Sequence, residues 1–118
     1  MENLSTFVSH RRDTSWGGDI LLIRNDGTST GRLYWFNDDT YTSYIEGIHV
    51  SENSRMNGLG NEVLHELLLI SSSLGFTKCM LWCSNNSFVK SWYERNGFVY
   101  SCDYDDEDDS IWMMATLQ

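Results

Sequence analysis

Arg55-Met-Asn-Gly58-Leu-Gly60-Asn-Glu-Val63-Leu-His-Glu-Leu67-Leu-Leu-Ile70-Ser-Ser-Ser-Leu-Gly75 is the stretch on which the fold turns. Leu59, Val63, Leu67, Ile70 and Leu74 fall at spacings of four, four, three and four, with Leu64 and Leu68 beside them. That period makes one wide apolar stripe on a helix, with Asn61, Glu62, His65 and Glu66 toward water. Gly75 suits the left-handed position that closes such a helix, which is predicted over about 58–74. The mouth of the helix carries the chemistry. A helix N-terminus has unpaired N–H groups and a partial positive charge, so it is a ready anion site. Glycines at 58 and 60 leave those donors uncovered, and Arg55 adds a charge at the rim. Alone, the same residues fit a tight turn whose glycines serve only backbone conformation.

Upstream, the period is that of strands. Leu4 to His10 reads as a strand, Ser15 to Gly18 as a turn, and Asp19 to Arg24 as a buried strand closed by Asn25-Asp-Gly27. Gly31 to Phe36 returns, Asn37 to Asp39 turns again, and Tyr44 to Val50 leads into the helix-mouth loop. Downstream, Lys78 to Cys83 is a strand. Asn86 caps a short helix over about 87–95, with Phe88 and Trp92, and Val89 and Tyr93, each four apart. Asn96-Gly97 stops it, Phe98 to Cys102 begins a strand, and Ile111 to Leu117 forms the last. Strands, helix, strand, helix, strand, strand is an α+β order with a mixed, mostly antiparallel sheet.

A chain of 118 residues with 41% hydrophobic and 21% charged side chains fits one folded domain, 1–118. Its 17 acidic against 8 basic residues give a net charge of −9, which argues against a nucleic-acid binder. No apolar run reaches a membrane span, and Met1 to Ser5 opens without a secretory pattern. Cys79, Cys83 and Cys102 are odd in number and not at Cys-x-x-Cys spacing, so reduced thiols and a cytoplasmic setting are expected. No metal-ligand spacing is present. Trp16, Trp35 and Trp112 are either core residues or an exposed dimer surface.

Taken in order, Ile48-x-Val50, four loop residues, Arg55-x-x-Gly58-x-Gly60, an apolar helix closed by Gly75, Leu81-x-Cys83, and Asn86-x6-Tyr93-x3-Gly97-Phe98 resemble the GCN5-related N-acetyltransferases. The resemblance covers about residues 44–100 and implies a GNAT-like sheet with two helices. It also implies acetyl-CoA as cosubstrate and a primary amine as acceptor, whether a protein lysine, a polyamine or a small amine. On its terms Arg55, Met56, Asn57, Gly58, Leu59 and Gly60, with Asn61, bind the pyrophosphate of coenzyme A through backbone N–H groups. Ile48, His49 and Val50 offer main-chain bonds to the pantetheine arm. Asn86 contacts that arm or holds the second helix. Tyr93 matches the tyrosine placed to protonate the leaving thiolate. The family usually opens with a strand and two helices that wall the acceptor side, and only about eighteen residues precede Asp19 here. A second subunit could complete that wall in a homodimer. Alternatively, the domain is a non-catalytic acyl-CoA-binding or protein-interaction module.

An alkylamine near pKa 10.4 is almost wholly protonated at pH 7, so something must take its proton. Glu46, two residues before Ile48, is the first candidate base, and a solvated strand glutamate is its other reading. His49 is the second; strand alternation sends it to the opposite face from Glu46 unless a bulge intervenes. The acidic run Asp103 to Asp109 is either a lip for a cationic acceptor or a solvated loop. A phosphate loop of the nucleotide-binding type is excluded, because no Gly-Lys-Ser/Thr follows the glycines.

Overall fold

The computed structural model describes residues 6–54, 58–85, 88–103 and 109–117. Arg55, Met56, Asn57, Asn86 and most of the acidic run lie outside them, and so do the expectations placed on those residues.

Four strands form an antiparallel meander: β1 (Phe7–Asp13), β2 (Gly17–Arg24), β3 (Ser29–Phe36) and β4 (Thr42–Val50). A 3-10 turn at Glu52–Ser54 leads to α1 (Leu59–Ser73), followed by β5 (Lys78–Ser84), α2 (Phe88–Arg95), β6 (Val99–Asp103) and β7 (Ser110–Thr116). The seven strands lie in the order β1-β2-β3-β4-β5-β7-β6, and only β4 and β5 run parallel. The expected α+β class and two helices are thus observed.

The N-terminal strand runs on to Asp13, past the His10 at which its sequence pattern ends. It pairs with β2 from Phe7↔Arg24 to Asp13↔Gly18, and the turn shrinks to the residues around Trp16. Gly17 and Gly18, read as turn residues, belong to β2. A Cβ on Gly17 would lie 1.9 Å from the Trp35 carbonyl oxygen, and one on Gly18 2.5 Å from the Trp35 ring. Close packing, not a reversal, selects those glycines.

The core lies between the sheet and the helices, with Leu33, Val63, Leu64, Leu67, Cys79 and Met113 at its centre. Helix α1 buries Val63, Leu64, Leu67 and Ser71, while Leu74 leaves the stripe. The reason is the helix stop. The Gly75 N–H donates to Ser72 O and the Phe76 N–H to Ser71 O, a Schellman closure with Gly75 at φ 94° that takes Leu74 out of the helix as its cap. The same closure ends α2, where Gly97 and Phe98 donate to Glu94 and Tyr93. Under α1, a Cβ on Gly31 would stand 2.6 Å from Val63 Cγ1, so this glycine sets how closely the helix approaches.

Both helices lie on one face, joined by hydrogen bonds from Trp92 Nε1 to Asn61 Oδ1 (2.7 Å) and between His65 Nε2 and Asn96 Oδ1 (3.1 Å). Trp35 is a core residue of that face. On the other face Trp16, Phe36, Tyr34, Tyr44 and Trp112 form a chain of ring contacts with centroids 5.1 to 6.0 Å apart. No helix among the described residues covers it.

Candidate active site

The parallel pair β4–β5 holds for three residue pairs only, Thr42↔Lys78 to Tyr44↔Met80. Beyond that point β5 stays with β7 along its whole length, and β4 stays with β3. The sheet therefore splits into a gap between its halves. The Ser51 N–H donates to Thr28 O on the β3 side. By antiparallel alternation, the main chain of Ile48 and Val50 points away from β3 into the gap, whereas that of His49 faces Thr30. Of the three strand residues expected to offer main-chain bonds to a ligand, two are therefore placed to do so and His49 is not.

Helix α1 opens at the end of this gap. Gly58, its N-cap, sits at φ 76°, a conformation that favours glycine, and no side chain caps the turn. The N–H groups of Leu59, Gly60 and Asn61 have no intrahelical acceptor, while that of Glu62 donates to Gly58 O. The first-turn carboxylate of Glu62 would repel an anion. It is paired with Arg24, whose Nε donates at 3.1 Å, and Arg24 also pairs with Asp26. A cavity of about 500 Å³ lined by Val50, Gly58, Leu59, Gly60, Asn61, Phe88 and Trp92 covers the mouth. It borders a second cavity of about 240 Å³, lined by Ile48, Val50, Gly60, Val89, Trp92 and Tyr93 among others. A helix end fits a phosphate and an apolar slot fits an alkyl arm, so the two cavities together suit a phosphorylated molecule with an extended arm. Asn61 Oδ1 accepts from Trp92 and Asn96, so it ties the helices together and leaves the side-chain amide N–H groups and the main chain for a ligand.

Tyr93 projects from α2 into the smaller cavity and is buried, packed on Trp92 and Phe98. Burial pushes its phenol up to about 12, so it keeps its proton throughout the neutral range. Cys83 and Cys79 lie close by; burial raises both thiols, that of Cys79 to about 11. Protonated thiols are poor nucleophiles, so the raised thiols do not favour either cysteine as a nucleophile. Among the described residues no cluster of His, Cys, Asp and Glu could hold a metal ion.

The far side of the gap holds Glu46 and His49. Leu33 pairs with Ile45 and Gly31 with Ile48, so Glu46 and Gly47 together face Arg32 alone. Gly47, at φ 75°, makes this a glycine bulge. The extra residue restores alternation out of phase. Ile45 and Ile48 both turn toward the helices, and Glu46 and His49 share the opposite, exposed face. The glycine within the strand pattern was the signal for this. Sequence reasoning missed what holds Glu46 in place. Arg32 Nη1 donates to Glu46 Oε2 at 2.6 Å, and Arg32 Nη2 donates to the buried Asp19 at 2.8 Å. Arg12 also donates to Asp19, at 2.5 Å. Hydrogen bonds from Arg32 and then Arg12 hold the Asp19 carboxyl below its ordinary range.

Residues 5–98 match the model of the acetyltransferase (GNAT) family. The chain belongs to that family. GNAT proteins are acyltransferases with acetyl-CoA as cosubstrate, and the helix mouth and slot described above suit that molecule. No curated protein is similar enough in sequence to be matched. Solved structures share the fold. A GNAT-family protein from Desulfovibrio desulfuricans superposes with a TM-score of 0.73 at 18% identity, over 87% of this chain and 71% of its own. A GNAT acetyltransferase from Elizabethkingia anophelis with acetyl-CoA bound gives 0.70 at 16%, over 97% and 100%. The ribosomal-protein-S18-alanine N-acetyltransferase from Escherichia coli gives 0.69 at 18%, over 90% and 72%. No helix among the described residues is long and apolar enough to cross a membrane.

Proposed function

We propose that this GNAT chain moves an acetyl group from acetyl-CoA directly to a primary amine, in the cytoplasm. The observation that carries the reading is the gap between β4 and β5, with an anion-ready helix mouth and slot on one face and Glu46 and His49 on the other. In this reading the pyrophosphate rests on the N–H groups that begin α1, with Arg55, Met56, Asn57 and Gly58 completing the loop. The pantetheine arm lies along Ile48 and Val50, with Asn86 beside it. The thioester then sits in the gap, where the N–H of Ile48 polarises its carbonyl as charge develops on oxygen.

The amine approaches from the open face and gives its proton to a group on that face, Glu46 or His49. Its lone pair forms the N–C bond, and collapse of the adduct breaks the C–S bond. Tyr93 serves the departing sulfur. Burial pushes the Tyr93 phenol up to about 12, above an ordinary thiol, so full proton transfer to the sulfur is uphill. Tyr93 therefore donates a hydrogen bond that stabilises the thiolate, and water or the amine's second proton completes the thiol. The charge of −9 favours a cationic acceptor and opposes coenzyme A, which makes local helix-end donors necessary.

The test is calorimetric titration with acetyl-CoA of the wild-type protein and of Gly58→Trp. A Cβ at Gly58 meets nothing within 4 Å, so the ring would stand in the open mouth, and at φ 76° the side chain also strains the turn that presents the N–H donors. Binding abolished by the substitution supports the site. No binding to the wild-type protein refutes the reading.

A further inference from the structure

Resting on that reading, the bulge decides between the two groups the sequence left open. Glu46 has a fixed cationic partner in Arg32, which is itself held by Asp19. The bond from Arg32 engages Glu46 Oε2 alone, which fixes the carboxylate in place and leaves Oε1 open to a second cation. The His49 side chain is exposed and has no hydrogen-bond or ion-pair partner among the described residues. The charged groups near it on this face are Arg32 on β3 and Glu46 on its own strand, with Asp19 and Arg12 behind Arg32. Across the gap β5 presents Trp82 and Ser84, neither of which titrates in the neutral range, and the helices lie on the other side. The spacing of the two groups follows from β3. Glu46 stands opposite Arg32 and His49 opposite Thr30, two residues apart, which is about 7 Å along the strand.

We propose that His49 takes the proton of the reacting amine while Glu46, held by Arg32, anchors a second cationic centre of the same acceptor. The acceptor class that fits is a short alkyl diamine, whose nitrogens stand about as far apart as two facing strand positions. Tyr34, Tyr44 and Trp112 lie beyond Glu46 on the side away from His49, and their ring faces suit the cationic end of such a chain. Each turnover converts one ammonium and one thioester into an amide, a thiol and one proton. His49 receives a proton from nitrogen and returns it to solvent; the second amine proton goes to the sulfur.

The experiment follows thiol release from acetyl-CoA with 1,4-diaminobutane and with 1-aminobutane, across pH 6 to 10, for wild type, Glu46→Gln and His49→Gln. The expected wild-type result is a preference for the diamine of at least tenfold in kcat/KM. Glu46→Gln removes most of that preference through KM, leaving kcat within about threefold. His49→Gln lowers kcat by about 10²-fold or more and flattens the acid limb of the profile for both amines. The assignment is overturned if Glu46→Gln lowers kcat and flattens that limb, or if His49→Gln keeps kcat within threefold. It is overturned too if the diamine has no advantage, or if acetyl-CoA binds tightly and neither amine is acetylated. In that last case the cofactor reading survives; failure of acetyl-CoA to bind removes both.

Discussion

Replacing Gly31 by alanine tests how the sheet supports the cofactor helix. The new Cβ would lie 2.6 Å from Val63 Cγ1 and 2.8 Å from Leu67 Cδ1, and both side chains are fully buried. Non-bonded carbons settle at about 3.5–4.0 Å, so both contacts must open by roughly 1 Å. Leu67 can turn its terminal methyl aside. Val63 cannot, because a β-branched residue in a helix has one dominant rotamer. The strain must therefore move α1, at a cost of about 1–3 kcal/mol. With an unfolding entropy of about 0.25 kcal/mol/K for a chain of this length, a loss of about 2 kcal/mol lowers Tm by about 8 °C. The assay is a thermal melt followed by circular dichroism, with Gly31→Ala, Val63→Ala and the double variant compared. Removing the Val63 methyls relieves the clash, so the double variant should be more stable than the sum of the singles predicts by about 1 kcal/mol or more. Acetyl-CoA affinity should fall with Gly31→Ala and recover in the double variant, because the displaced helix carries the anion site at its N-terminus. A melt of Gly31→Ala within 2 °C of wild type, or strict additivity, would refute this account.

Three further outcomes are expected. Tyr93→Phe should lower kcat by about 10- to 100-fold with acetyl-CoA affinity within twofold and an unchanged melt, since the phenol O–H makes no hydrogen bond among the described residues; equal kcat would remove its role at the sulfur. Trp92→Phe should cost about 1 kcal/mol in chemical denaturation by deleting the 2.7 Å bond to Asn61, and weaken acetyl-CoA binding through the displaced helix mouth. Asp19 has a carboxyl held below its unfolded value, so its stabilising effect is present above about pH 4 and is lost as pH falls through the folded pKa. Melts of Asp19→Asn between pH 2 and 7 should therefore show lower stability at neutral pH and a flatter acid limb than wild type.

What could be read from the sequence was whatever local chemistry dictates. The helical period of residues 59–70, the closing glycines at 75 and 97 and the turn glycine at 27 each express a backbone demand at their own position, and each was legible. Gly17, Gly18 and Gly31 express demands made from a distance, by the Trp35 carbonyl and ring or by helix α1, and nothing adjacent to them in sequence announces this. Gly47 is the intermediate case. A lone glycine in a strand pattern is a bulge signal, but its consequence, which face receives His49, depends on register with β3. The same limit explains the site. The helix mouth was legible because cap and glycines are contiguous, whereas the Arg12–Asp19–Arg32–Glu46 chain draws one residue from each of four strands. Pairing alone assembles it.

That distinction bears on how the two halves of the site tolerate change. On the proposed reading, the cofactor side is built from main-chain donors and a glycine conformation, so most side-chain substitutions on α1's first turn should leave its chemistry intact unless they fill the mouth. The acceptor side is built from charged side chains whose geometry is set by register. A one-residue slip of β4 against β3 would carry Glu46 and His49 together to the helix face, and regular pairing of Gly47 in place of the bulge would put them on opposite faces, in neither case altering either residue. Deleting Gly47 would close the bulge yet leave Glu46 and His49 two residues apart and so on one face, with the pairing beyond it unchanged; acetyl transfer and acetyl-CoA binding should then each stay within about tenfold of wild type, since the Ile48 and Val50 main chain and the helix mouth lie beyond the bulge. Calorimetry beside the thiol-release assay measures both quantities on one sample. Loss of binding together with turnover would mean that the bulge also positions the cofactor strand, and that the two halves of the site are not separable.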